Sequence, residues 1–131
     1  MKSISIATAT RTELVDITGL IKEVVKKNKW TEGVLYVYIP HTTAGVTINE
    51  NADPSVRIDI LDALNKLVPY KGSYQHTEGN SDAHIKASLI GSSVAVILES
   101  GRLVLGKWQG VFFCEFDGPR QRDIYLKFLG V

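Results

Sequence analysis

The chain is poor in the features that tie a protein to a special environment. It has one cysteine, Cys114, in 131 residues, so no disulfide closes within it, and neither a four-cysteine nor a Cys2His2 zinc site can be assembled. Charge of one sign is missing too: 15 Lys+Arg against 14 Asp+Glu leave +1, with no net pull toward nucleic acid or anionic lipid. No apolar run approaches the roughly 18–20 residues needed to cross a bilayer. The first ten residues, MKSISIATAT, alternate polar with apolar and lack the continuous apolar core of a signal peptide. There is no Pro-rich linker, low-complexity tract or fixed-period repeat. P-loop, dinucleotide and Gly-x-Ser-x-Gly signatures are absent as well. What remains is a single domain over residues 1–131, expected in the cytoplasm, with neither nucleic acid nor membrane as partner. At this length, folding buries about two-thirds of the unfolded surface, enough for a core.

Apolar periodicity lays out the elements. Ile4 and Ile6 alternate with Ser3, Ser5 and Ala7, which predicts a half-buried strand. Asp16 can cap a helix whose stripe is Ile17, Leu20, Ile21, Val24 and Val25, with Lys22, Glu23, Lys26 and Lys27 toward solvent. Gly33 to Ile39 (GVLYVYI) is almost continuously apolar or aromatic, the pattern of a strand covered on both faces. Pro40 stops it, and Ala44 to Glu50 resumes an extended pattern. Asp53-Pro54 starts a second helix, with Val56, Ile60, Leu64 and Leu67 as its buried face and Leu61 and Val68 at the margin. Tyr70 to Asn80 reads as a loop. Ser81 to Ile90 reads as a short helix closed by Gly91 as a left-handed cap. Strand-like runs follow at Val94 to Leu98, Leu103 to Leu105 and Trp108 to Phe116, then a turn at Asp117 to Arg120 and a last strand at Ile124 to Leu129. The fold class is α+β with antiparallel hairpins in the C-terminal half. So few helices for so many strands imply that another subunit covers part of the sheet surface.

The chain has three histidines. His41 lies in PHTTAG, His76 in the aperiodic loop and His84 in the first turns of the third helix. Three imidazoles with an open fourth position are a common way to hold catalytic zinc. They suit zinc, nickel, iron or copper better than magnesium or calcium. The step from His76 to His84 matches neither a zincin helix nor a zinc finger, so spacing leaves open that each is a separate hydrogen-bonder or substrate contact. Glu50 falls on the strand face of Val46 and Ile48, opposite Thr47 and Asn49. A carboxylate there is prepared as a general base, unless the strand simply ends in solvent. On the run Trp108 to Phe116, Trp108, Phe112, Cys114 and Phe116 share one face. Gln109, Val111, Phe113, Glu115 and Asp117 share the other, as a pocket wall would. Arg120 and Arg122 follow, and guanidinium is a bidentate clamp for carboxylate or phosphate; an Asp117–Arg120 pair bracing the turn is the alternative. Gly79-Asn80-Ser81-Asp82 opens a helix and offers either N–H groups to an anion or an ordinary N-cap.

Three blocks carry a resemblance: Pro40 to Asn51 (PHTTAGVTINEN), His76 to Gly91 (HTEGNSDAHIKASLIG) and Gly101 to Arg122 (GRLVLGKWQGVFFCEFDGPRQR). Through them the chain resembles the YjbQ-like family over nearly its whole length. One departure is Lys107, where the family usually has Thr or Trp. The resemblance implies a two-layered β-sheet sandwich with about three helices, assembled as a homotrimer. It implies a site built from the His41, His76–His84 and Glu115–Arg120 stretches, with His41, His76 and His84 as metal ligands; with Glu50 from the strand pattern, the catalytic candidates are Glu50, Glu115 and Arg120. Thr42, Thr43, Asn49, Asn80, Asp82 and Gln109 are the ligand-binding candidates. The activity it implies is that of a secondary thiamine-phosphate synthase, a transferase joining a pyrimidine pyrophosphate to a thiazole phosphate with loss of pyrophosphate. The partner is then a small phosphorylated molecule or anion. The cofactor is a divalent metal: zinc on the imidazoles, or magnesium with a pyrophosphate substrate. Two other functions stand beside it. One is a zinc-dependent hydrolase with Glu50 as base; the other is a non-enzymatic trimeric ligand-binding or regulatory protein.

Overall fold

The computed structural model describes residues 1–131. In chain order the elements are β1 (Lys2–Ala7), β2 (Glu13–Asp16), α1 (Thr18–Lys27), β3 (Gly33–Tyr38), β4 (Ala44–Glu50), α2 (Pro54–Leu67), α3 (Ser81–Ile90), β5 (Ser93–Glu99), β6 (Arg102–Leu103), β7 (Gln109–Glu115) and β8 (Gln121–Gly130). The strands form two antiparallel sheets, a five-stranded one ordered β1-β8-β3-β5-β6 and a three-stranded one ordered β2-β7-β4. No helix is long and apolar enough to cross a membrane.

Strand alternation decides the layers. On β7, Val111 and Phe113 point into a core shared with Leu35 and Val37 of β3, Val96 and Leu98 of β5, and Ile124 and Leu126 of β8. Ile21 and Val25 of α1 join that core. The alternate residues Phe112 and Cys114, with Phe116, face the other way against Ala83 and Ala87 of α3 and the partly buried Ile60, Leu61 and Leu64 of α2. The order is therefore large sheet, small sheet, then α2 and α3, with α1 packed into the core between the sheets. Each fully buried Phe, Leu or Ile in these layers contributes about 1.5–3 kcal/mol. At the head of α2, Asp53 Oδ1 accepts from Ser55 N at 3.0 Å, and Pro54 occupies the first turn. Asp16 acts similarly at α1, its Oδ1 accepting from Thr18 N and Oγ1.

Several sequence expectations are corrected. β3 is covered on one face only: Tyr36 and Tyr38 are 44% and 48% exposed, because both α2 and α3 pack on the small sheet. The C-terminal half of α2 leaves Leu67 71% exposed, and Leu61 takes its place against the sheet. Gly91 does have positive φ (+99°), but its ψ of 162° lies in an extended region open essentially to glycine rather than in a left-handed cap. β2 is a strand that periodicity misses.

Candidate functional site

β3 ends at Tyr38 and the chain runs through Ile39 to Thr43 before β4 begins. That segment faces the start of α3 and the turn between β7 and β8, enclosing a pocket of about 750 Å³, within the usual size of a small-molecule site. Thr42, Thr43 and His41 come from the first wall. Glu78, Asn80 and His84 come from the second, and Asp117, Arg120 and Arg122 from the third.

Behind the pocket lies a buried ion pair. Arg122 continues the inward stripe of Ile124 and Leu126, and Glu115 that of Val111 and Phe113, so the two meet between the sheets at 3% and 0% exposure. Arg122 Nε donates to Glu115 Oε1 at 2.9 Å, and Nη2 donates to Oε2. The same Nη2 reaches Thr43 Oγ1 at 2.9 Å. Glu115 also accepts from Thr8 Oγ1 at 2.7 Å and from Asp117 N at 3.0 Å. Burial pushes the Glu115 carboxyl up, but the hydrogen bonds from Arg122, Thr8 and Asp117 outweigh it and hold it below the ordinary carboxylate value.

The pocket rim is built on this base. Asp117 accepts from Arg120 Nη2 at 3.1 Å and from Asn80 Nδ2 at 2.9 Å, so one carboxylate fixes both a guanidinium and the residue that opens α3. Asn80 Oδ1 is buried without a partner. The Asp123 N–H donates to His41 Nε2 at 2.9 Å. That ring nitrogen must therefore be the acceptor, and in neutral imidazole the proton sits on Nδ1. Burial, then the charge of Arg122, lowers the His41 pKa, which keeps the ring neutral. Once internal bonds are counted, His41 offers an Nδ1–H, and Arg120 and Arg122 each keep an Nη1 with no partner in the chain.

Sequence reasoning brought some of these groups together and misplaced others. His41, His84, Thr42, Thr43, Asn80 and Arg120 line this pocket. His76 lies beside His84, ring centroids 5.3 Å apart and perpendicular, in a neighbouring depression. No three His, Cys, Asp or Glu side chains are arranged to hold a metal. His41 has its Nε2 lone pair committed to Asp123 and its other nitrogen protonated, so the three imidazoles of one chain do not fit a zinc site. Glu50 is corrected as a neighbour of the imidazoles. It pairs with Gln109 at the end of β4 opposite the Ala44–Glu115 pair, about 20 Å along the strand. There it lines a separate hollow with Asn49, Gln109 and Trp108, and the hydrolase reading loses its base. Glu115 is corrected from catalyst to buried support. Asp82 is corrected as well: it is fully buried, accepting from Arg11 through both oxygens at 3.0 and 3.1 Å and from Lys86 at 3.0 Å. Those two cations outweigh the burial that pushes its carboxyl up. Asp117 and Arg122, read from sequence as part of a pocket wall and as a guanidinium clamp but not among the candidate site residues, both line the pocket. The alternation held the signal for Arg122, since a two-residue step back from Ile124 along β8 puts it on the inward face.

The family model described as UPF0047 protein YjbQ-like matches residues 2–131. A UPF0047 protein of Methanocaldococcus jannaschii is 54% identical over 125 residues, spanning 95% of this chain and 91% of that protein. YugU of Bacillus subtilis is 47% identical over 131 residues, 99% of each. A crystal structure of an uncharacterized YjbQ/UPF0047-family protein from Clostridium acetobutylicum superposes with a TM-score of 0.96 at 51% identity, covering 98% of this chain and 100% of that one. With the sandwich, the pocket and this full-length similarity together, the chain belongs to the YjbQ-like UPF0047 family.

Proposed function

We propose that the pocket binds the phosphate or pyrophosphate of a small phosphorylated substrate, and that the protein is a transferase of the thiamine-phosphate synthase type. In that reaction the bond from the pyrimidine methylene to pyrophosphate breaks as the thiazole nitrogen bonds to the same carbon. The leaving group departs with the electron pair. Donors aimed at the developing charge on pyrophosphate are what such a step needs. One observation carries the reading: three unspent donors, the His41 Nδ1–H and the Nη1 groups of Arg120 and Arg122, belong to residues lining one pocket, two of them on fixed positive charges. A set of donors suits an oxyanion and not a bare cation.

The test is calorimetric binding of inorganic pyrophosphate, followed by pyrophosphate release from the two substrates under single turnover. Arg120→Ala should weaken pyrophosphate binding by about tenfold or more and slow release by orders of magnitude, with an unchanged unfolding midpoint. Unchanged release in folded Arg120→Ala removes Arg120 from the reaction. Binding without release in the wild type replaces the transferase by a ligand-binding protein.

A homotrimer is part of the same proposal. On the outer face of the large sheet, Tyr36, Tyr38, Ile97 and Leu129 are 44%, 48%, 59% and 52% exposed. Strand register sets Val34 beside both Leu129 and Ile97, and Tyr38 beside Tyr125, so apolar and aromatic groups run across three strands with Lys127 among them, and further copies of the chain suit that face. Light scattering should give three times the 14.5 kDa of one chain. A monomer at micromolar concentration refutes it.

A further inference from the structure

A second cavity, of about 570 Å³, opens where the C-terminal half of α1 meets the turn into β6, and it shares no lining residue with the first. Four cations surround it: Lys22 and Lys26, one turn apart on α1, Lys29 just past the helix end, and Arg102 at the start of β6. No carboxylate lines it, and none of the chain's ion pairs uses any of the four. Glu32, close in sequence, lies at the β5–β6 turn next to the cavity rim, where its Oε1 accepts from Ser100 N at 2.7 Å and it pairs with none of the four cations.

Converging like charges without a counter-charge destabilise a fold. The negative pole of α1 accounts for Lys26 in the last turn, but not for Lys22 or for Arg102 on another element. That pole would itself repel an anion, yet three of the last four carbonyls are spent. Asn28 donates to Val24 O through both N and Nδ2, Lys29 N donates to Lys26 O, and Trp30 N to Val25 O. The remaining wall is apolar and flat. Trp30 stacks on Phe128 with ring centroids 5.1 Å apart and planes 17° from parallel, which holds the indole rigid at the cavity beside Val25 and Leu103.

We propose that this cavity binds a nucleotide, its planar base against the Trp30 wall and its phosphates on Lys22, Lys26, Lys29 and Arg102. Phosphate oxygens supply the missing counter-charge, and a base supplies a π-face for stacking and apolar contact. The proposal is independent of the transferase reading, since the two cavities have no residue in common.

Trp30 reports on it directly. The chain has two tryptophans, so Trp108→Phe leaves Trp30 as the sole emitter. ADP should quench that emission saturably, with half-saturation below about 100 µM at 0.1 M salt. Adenosine should bind far more weakly, and inorganic tripolyphosphate should displace ADP. Lys26→Glu with Arg102→Glu should raise the half-saturation at least about tenfold while the ligand-free protein keeps or gains thermal stability as the repulsion is relieved; Lys22→Gln should raise the half-saturation by less. No saturable quenching up to millimolar ADP, or equal affinity in the charge-reversed protein, overturns the site. Adenosine binding as well as ADP overturns the phosphate assignment. A single-stranded oligonucleotide binding much more tightly than ADP through the same four cations overturns the free nucleotide in favour of a nucleic-acid strand.

Discussion

Replacing Arg122 by Met tests the arrangement on which the pocket stands. The guanidinium is 3% exposed and bridges three elements: it lies on β8, clamps Glu115 of β7 and donates to Thr43 at the entrance to β4. Met fills much of the volume, so the main loss is electrostatic. Glu115 keeps its hydrogen bonds from Thr8 and Asp117 but is left buried with no cation. Removing one partner of a buried pair costs about 3–5 kcal/mol. With a urea slope of about 2 kcal/mol per molar for a domain of this size, the unfolding midpoint should fall by about 2 M. Adding Glu115→Gln removes the stranded charge and leaves an acceptor for Thr8. The double variant should therefore be more stable than Arg122→Met alone, a coupling of about 1–3 kcal/mol.

The pH dependence supplies a second check with opposite signs. In the wild type Glu115 is held below its ordinary value of 4.5. Its contribution is thus fully present above that value and is lost as pH falls through the depressed one. In Arg122→Met the same carboxyl stays buried with only the Thr8 and Asp117 hydrogen bonds and no cation, so its pKa rises. The deficit is then largest at neutral pH and shrinks as acid protonates the group. The two stability curves should approach each other between pH 7 and about pH 4. A single variant that loses less than about 1 kcal/mol, or a double variant that loses the sum of the singles, would refute the reasoning.

Burial pushes the Cys114 thiol up to about 12, so a thiol reagent at pH 8 should label native protein negligibly and unfolded protein with one equivalent; rapid native labelling contradicts that burial. Because burial and Arg122 depress the His41 pKa below its ordinary 6.5, stability is complete above 6.5 and declines as pH falls from there through the lowered value. His41→Gln should flatten the thermal midpoint across that window, and an unchanged slope counts against a buried neutral ring. Asp82→Asn leaves Lys86, 1% exposed, facing an amide and Asn65 Oδ1, and should cost about 3 kcal/mol by urea unfolding. Adding Lys86→Met to Asp82→Asn should recover part of that loss, and an undiminished deficit argues against a stranded ammonium.

The readable parts of the fold were those whose cause is local. Asp53-Pro54 announces α2 because a capping oxygen and a fixed φ suffice to start a helix. The faces of β7 follow from alternation, and every residue from Val111 to Phe116 lies on the side that period two assigns. β2 was illegible because Glu13 to Asp16 is too short to show a period, and only its ladder with Phe112 to Glu115 makes it a strand. The role of His41 was illegible for a similar reason: an amide 82 residues away decides which ring nitrogen holds the proton.

Glu50 shows what alternation cannot report. Period two says which face of β4 a side chain takes, and nothing about which end of the molecule that stretch of strand occupies. The ladder decides: Ala44 lies opposite Glu115, so Glu50 lies opposite Gln109. Bringing Glu50 to the imidazoles within one chain would mean sliding β4 by six positions. An even slip keeps Val46 and Ile48 facing the core, so hydrophobic pattern alone does not forbid it. It is forbidden at the ends. The slip would break the ladder bonds that pair β4 with β7 and move Thr43 away from Arg122 Nη2, which donates to both its oxygens. The contact that supports the pocket is therefore also what keeps Glu50 out of it. Within a single chain, a base acting at this pocket has to come from Asp117, Glu78 or a histidine.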